Sequence, residues 1–159
     1  MIVEVENFLP EELVDELVSF SKTNTEWYLQ EMQENLPRKK ISWLLDSPIE
    51  TVHIWFEALP MFAHLNFIGV TLWKDDVDFK MAQHLDNERV KVAVQIYLDD
   101  RKSPGTRFST RTISYGRNRG YIMYNNPDML HGVPDQTPHE GRLSIYALFQ
   151  SKSSMSELL

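Results

Sequence analysis

The chain contains no cysteine. That absence excludes a disulfide framework and a thiol nucleophile, and it removes the thiolates on which soft-metal sites depend. It fits a reducing compartment, so a cytoplasmic location is the expectation. Long apolar runs are missing as well: none approaches the ~20 residues that span a bilayer, and no membrane association is expected. The first residues hold Glu4, Glu6, Glu11 and Glu12 rather than the basic and then apolar order of a secretory signal. No internal repeat, low-complexity segment or inter-domain linker interrupts the 159 residues, of which 42% are hydrophobic. A single domain over 1–159 is therefore expected, long enough to bury one core. Acids are absent from 101 to 120, where Arg101, Lys102, Arg107, Arg111, Arg117 and Arg119 give +6 in a chain of net −7. The plainer reading of that run is a solvated face; the sharper one is a rim for an acidic substrate or a phosphate backbone.

Helical signals come early and strand signals late. Pro10 followed by Glu11 and Glu12 opens a helix, because Pro tolerates the first turn and acids favour the positive end of the helix dipole. Leu13, Val14, Leu17, Val18 and Phe20 supply its apolar stripe. Ser47-Pro48-Ile49-Glu50 reads as a second start, with Ser47 as cap and Glu50 reaching back as a capping box, for a helix through about Ala58. From Phe67 the texture changes to short β-branched and aromatic runs between polar turns: Phe67 to Trp73, Val90 to Leu98, Arg107 to Ser114, Tyr121 to Tyr124 and Leu143 to Phe149. This predicts a mainly β fold, an antiparallel jelly roll over about 67–150, with helical support over about 8–65. The period-2 pattern alone fits many sandwiches.

The chemistry-bearing residues lie between positions 84 and 144. His84 and Asp86 flank Leu85, and on an extended strand two such residues point to one face. An imidazole and a carboxylate can then share a cation. His131 supplies a second imidazole, and two His with one carboxylate is the pattern of non-haem Fe(II) oxygenases, which leaves positions open for other ligands. His139 is a rival to His131, but it stands three residues before Arg142 in a turn-rich stretch, so His131 is preferred. The run from Gly132 to Gly141 is rich in turn formers and predicts a hairpin that returns Arg142 beside His131. A guanidinium at a strand mouth, with the Ser144 hydroxyl two residues on, suits a bidentate grip on a carboxylate.

Those residues resemble the Fe(II)- and 2-oxoglutarate-dependent oxygenases: His84, Asp86 and His131 match the metal triad, and Arg142 and Ser144 match the Arg-x-Ser pair that holds the co-substrate's distal carboxylate. Val92 to Asp99 resembles the strand that reads Tyr-Leu-Asn in the prolyl 4-hydroxylase branch, with Tyr97 at the tyrosine position and Asp99 replacing the usual Asn. Gly105-Thr106-Arg107-Phe108 is similar to the Gly-rich turn and strand that follow, with one of the usual two glycines. Ile2 to Glu12 is similar to the branch's first strand and helix. The resemblance implies a double-stranded β-helix, Fe(II), 2-oxoglutarate and O2 as cofactor and co-substrates with ascorbate as an accessory reductant, and hydroxylation of a substrate C–H bond with release of succinate and CO2. It implies that Tyr97 supports the far carboxylate beside Arg142. Gln95, on the same strand face as Tyr97, is expected within reach of the co-substrate or the iron shell.

A peptidyl, prolyl-like substrate is the expectation, with a small molecule as the alternative. Nucleic acid is less favoured, because oxygenases that repair alkylated bases usually carry a second Arg six residues after the first, and that position here is Leu148. Trp73 and Met81 are candidates for a substrate pocket or for core packing; His53 and His64 read as structural, and Asn125, Asn126 and Asp128 as turn formers. A different class of function also fits a jelly roll with a metal pocket: a non-catalytic binding or structural module. Arg142 with Tyr97 separates the two, since a purely structural metal site needs no co-substrate anchor. A cupin-like metalloenzyme without 2-oxoglutarate is a third reading. The oligomeric state is not legible.

Overall fold

The architecture follows from how the apolar residues alternate. On the central strands one set of alternate positions, including Val92, Val94, Ile96, Ile145 and Ala147, packs against helices on the outside, and the other set faces inward around Ala93, Tyr97 and Tyr121. In the computed structural model, residues 1–30 and 38–152 are described. Among them the order is β1 (Ile2–Glu6), α1 (Glu11–Thr23), β2 (Tyr28–Gln30), β3 (Arg38–Ile41), α2 (Pro48–Glu57), a 3-10 turn (Pro60–Phe62), β4 (Leu65–Asp75), β5 (Met81–His84), β6 (Val90–Tyr97), β7 (Thr106–Phe108), β8 (Thr112–Ile113), β9 (Arg119–Tyr124), β10 (His131–Val133) and β11 (Arg142–Ser151).

The larger sheet has the order β1-β9-β6-β11-β4-β3-β2 and the smaller β5-β10-β7-β8. The paired strands are antiparallel, which gives the expected jelly-roll sandwich with two helices. Both helices cover the outer face of the large sheet. Helix α1 buries Leu13, Val14 and Leu17, and α2 buries Ile49, Val52 and Phe56. The second helix starts as its sequence implies: Ser47 Oγ accepts from Ile49 N at 3.1 Å. Glu50 reaches back to Asp46 N at 2.8 Å rather than to the cap residue's own amide. No helix among the described residues is long and apolar enough to cross a membrane.

Several expectations change. The stretch read as helical support over about 8–65 also contributes β2 and β3, which extend the large sheet at one edge; residues 31–37 of it lie outside the described residues. These strands carry Tyr-Leu-Gln and Arg-Lys-Lys-Ile, short polar sequences whose pattern marks no apolar face. The run Arg107 to Ser114 is two short strands, β7 and β8. The expected hairpin between His131 and Arg142 does not form: β10 pairs in the small sheet and β11 in the large one. The turn-rich stretch between them crosses from one sheet to the other, ending at Gly141 with φ +87, where a Cβ would lie 2.5 Å from Asp75 O.

The basic run of 101–120 is absorbed largely by the fold. Arg117 pairs with Asp15 (2.6 Å) and Glu11 (3.0 Å), Arg119 with Glu6 (3.0 Å), and Arg101 with Asp99 (2.6 Å). Arg111 donates to Ile2 O at 2.9 Å. Between the two arginines of that tie, Asn118 is 1% exposed and bonds both Leu9 N (2.9 Å) and Leu9 O (2.8 Å). The basic segment thus fastens the acidic N-terminal strand and helix to the sandwich.

Candidate metal centre and anion pocket

His84 ends β5 and lies directly opposite His131 on β10, so antiparallel pairing places the two imidazoles side by side with centroids 4.6 Å apart. The strand stops at His84, so Asp86 is not on it as the spacing suggested. Its carboxylate nevertheless turns to the same point, with Oδ1 3.2 Å from His131 Nε2 and 3.8 Å from His84 Nε2. One ligand atom from each of the three lies within 4.8 Å of the others. Gly132 permits this close crossing, because a Cβ there would meet Met81 O at 2.4 Å.

The hydrogen bonds behind the ring nitrogens decide what the site can hold. His84 Nδ1 lies 3.1 Å from Ala82 O, and His131 Nδ1 lies 2.8 Å from Met129 O. A carbonyl can only accept, so each Nδ1 carries a proton, and in the neutral imidazole each Nε2 is the nitrogen left with a lone pair for a metal shared with Asp86. Two neutral imidazoles and one carboxylate, converging with their outer nitrogens anchored, fit a divalent metal ion of borderline hardness. Tyr146 donates to the other oxygen of Asp86. Burial pushes the Tyr146 hydroxyl well above the usual phenol range, with Tyr121 and Asp86 adding to it, so it remains a donor. Burial also opposes charge on Asp86, but His131 and Tyr146 outweigh it and hold the carboxyl below its ordinary value. His131 is raised: burial works against its proton, while Asp86 and the Met129 carbonyl favour it more strongly.

The triad opens onto a cavity of about 240 Å³ whose lining includes Gln30, Arg38, Trp73, Met81, Gln95, Thr106, Tyr121, Val133, Arg142 and Tyr146. Trp73 and Met81 therefore belong to the pocket. Arg142 is 1% exposed and donates through Nη2 to Thr106 Oγ1 at 3.2 Å, while its Nε has no partner among the described residues. Thr106 is a hub. Its hydroxyl donates to Gln95 Oε1 (3.0 Å), so its lone pairs accept from Arg142 and from Tyr97 OH (2.7 Å). Gln95 also accepts from Tyr121 OH at 2.8 Å and donates to Ser144 Oγ at 3.1 Å.

Tyr97 and Ser144, expected to help hold the co-substrate's far carboxylate, take their places in this network. Both are fully buried and neither lines the cavity; they stand behind Thr106 and Gln95. His139 lies outside the metal cluster. Its Nε2 faces Phe79 O at 2.8 Å and its Nδ1 accepts from Gly141 N at 2.9 Å, so both nitrogens are committed to the crossover. His53 packs between Trp43 and Phe67, and His64 is exposed in a turn. Asn126 closes a local turn onto Asp128 N, and Asn125 bonds Val90 O. Arg38, Asp75, Thr106, Tyr121 and Tyr146 carry no site role that the sequence alone reveals. Tyr146 was the most accessible of these, being two and four residues from Ser144 and Arg142 on the same strand face.

No sequence-family model matches the chain, and no curated protein matches it by sequence. Solved structures do match its fold. A prolyl-4-hydroxylase from Pseudomonas putida aligns with a TM-score of 0.75 over 96% of this chain and 93% of that one, at 15% identity. The viral collagen prolyl hydroxylase of Paramecium Bursaria Chlorella virus-1, in its 2OG complex, gives 0.65 over 95% and 96% at 11% identity. The non-heme alpha ketoglutarate dependent epimerase SnoN from nogalamycin biosynthesis gives 0.70 over 94% and 76% at 13% identity. The chain thus shares its fold with these prolyl hydroxylases and this alpha ketoglutarate dependent epimerase. Within that fold this chain sets a His-Asp-His triad beside a buried arginine.

Proposed function

We propose that the protein is an Fe(II)- and 2-oxoglutarate-dependent dioxygenase in which His84, Asp86 and His131 hold the metal and Arg142 anchors the co-substrate. The observation that carries this reading is a charge count across one cavity. Two neutral imidazoles, Asp86 and a divalent cation leave one positive charge at the triad. Arg38, Asp75 and Arg142 leave another at the far side. A dianion with a metal-chelating end and a distal carboxylate balances both, and 2-oxoglutarate has that form.

Bound Fe(II) supplies oxygen activation coupled to decarboxylation of the keto acid to succinate and CO2. The protein's own residues bind, orient and shield. Arg142 offers its unpartnered Nε and remaining N–H groups to the distal carboxylate, and the Thr106 hub fixes the guanidinium in place. Tyr146 holds Asp86 so that its second oxygen faces the metal position. Tyr121 and Gln95 form the floor between the two charged ends, and Trp73, Met81 and Val133 give the mouth apolar walls for a substrate. The reaction class we favour is hydroxylation of a peptidyl, prolyl-like residue, supported by the fold's likeness to two prolyl hydroxylases. The likeness to an epimerase supports a small-molecule substrate as the second reading.

The test is succinate formation from 2-oxoglutarate by the Fe(II)-loaded protein in air with ascorbate, first alone and then with proline-containing peptides. Slow succinate release that peptides accelerate is the expected result. Metal-loaded protein that forms no succinate with or without substrates would favour a non-catalytic role.

A further inference from the structure

Arg38, Asp75 and Arg142 occupy directly opposed positions on β3, β4 and β11, a single row across three strands. Asp75 is 2% exposed and has two guanidinium neighbours. It does not treat them alike. Its oxygens lie 2.7 Å from Arg38 Nε and 3.3 Å from Arg38 Nη2, a two-point pairing, whereas the approach to Arg142 Nη1 is 3.9 Å. Arg38 is itself clamped, with Cζ 3.7 Å above the Trp73 ring and 5.0 Å from that of Phe79. Held at both oxygens by one fork, Asp75 is fixed where it makes no hydrogen bond to Arg142, although its remaining lone pairs could accept one if it moved closer. Among the described residues Arg142 is left with a bare Nε and a loose ionic neighbour, the state an incoming carboxylate requires.

Without Arg38, Asp75 would be a buried carboxylate whose one cationic neighbour among the described residues is Arg142, and pairing with it would be the nearest compensation. The co-substrate anchor would then be occupied from within. We propose that Arg38 is a positioning residue for co-substrate binding: by holding Asp75 in a two-point ion pair, it keeps that carboxylate off Arg142 and preserves the positive charge the ligand needs. The inference rests on the reading of Arg142 as the co-substrate anchor.

The experiment measures 2-oxoglutarate affinity calorimetrically on the Mn(II)-loaded protein, with Mn(II) affinity measured separately. Arg38→Met keeps an apolar stem against Trp73 and removes the charge. It is expected to weaken 2-oxoglutarate by about 10- to 100-fold, the scale of one charge-assisted contact, and to leave Mn(II) affinity unchanged. It should not affect 2-oxobutyrate, which lacks the distal carboxylate. Adding Asp75→Asn to Arg38→Met removes the internal competitor and should restore most of the lost affinity. A double variant as weak as Arg38→Met overturns the proposal, as does undiminished binding by Arg38→Met. Should Arg38→Met not fold, Asp75→Asn alone decides: equal or tighter binding supports the proposal and weaker binding overturns it. If the wild type binds Mn(II) but not 2-oxoglutarate, the co-substrate reading fails and this inference falls with it.

Discussion

Tyr146→Phe isolates the contribution of a residue that touches the metal site only through another side chain. The hydroxyl donates to Asp86, whose side chain is 13% exposed, so water replaces the lost bond poorly. A hydrogen bond to a charged partner contributes about 1.5–3 kcal/mol. Tyr146 makes this bond with or without metal, so part of the loss falls on the stability of the metal-free protein. The remainder appears as freedom of the carboxylate, which must be paid for again when metal binds. We therefore expect metal affinity to fall about tenfold, the lower end of the 10- to 100-fold range for residues that orient ligands, with about 1 kcal/mol lost from the metal-free protein. Competition between the protein and a chelator for Mn(II) measures the first, and chemical denaturation the second. Unchanged metal affinity in a folded Tyr146→Phe variant would refute the claim that Tyr146 presets the ligand.

Proton competition at the triad gives a second prediction. His131 must lose its proton to ligate, and its pKa lies above the ordinary imidazole value, so metal affinity should climb with pH beyond the usual range near 6.5. In the metal-free protein the sign is opposite. The stability His131 gains from Asp86 is fully present below its unfolded pKa and is lost as pH rises through the raised folded value. Asp86, held low, contributes above its unfolded pKa and loses that contribution as pH falls through the folded one. Melting scans with and without metal across neutral pH should therefore diverge; parallel curves would count against His131 as a ligand. At the N-terminal tie, Asn118→Ala removes bonds to both polar groups of Leu9 and puts a Cβ-bearing residue without a polar side chain at φ +56. A loss of about 2–4 kcal/mol in denaturant unfolding is expected, and a loss below 1 kcal/mol would show that the tie is not buried as described.

The strands that could be read from sequence are those whose alternation serves two packed faces. Val90 to Leu98 and Leu143 to Phe149 stand in the middle of the large sheet, and burial on both sides leaves a near-continuous apolar run. The short polar strands β2, at the sheet edge, and β3, beside it, have no such imprint. The triad was legible because its three residues pair chemically in any geometry that brings β5 and β10 together. The route was not: a turn-rich segment marks a reversal without saying whether the chain returns to its own sheet or crosses to the other. Arg38 and Asp75 are 37 residues apart in sequence, and a lone charged residue carries no sign of a buried partner. Thr106 was visible beside Gly105, yet its role depends on a close approach in which a Cβ at Gly105 would lie 1.6 Å from Ile113 O. Local pattern holds no information on such contacts.

The most direct test of the central claim is an anaerobic titration of the metal-free protein with Fe(II) and then 2-oxoglutarate, following the weak visible charge-transfer band of a chelated keto acid, in wild type and in Arg142→Ala. A band that saturates with 2-oxoglutarate is expected in the wild type, and one that needs about 10- to 100-fold more co-substrate in the variant. Bound Fe(II) with no band at any 2-oxoglutarate concentration would contradict the claim.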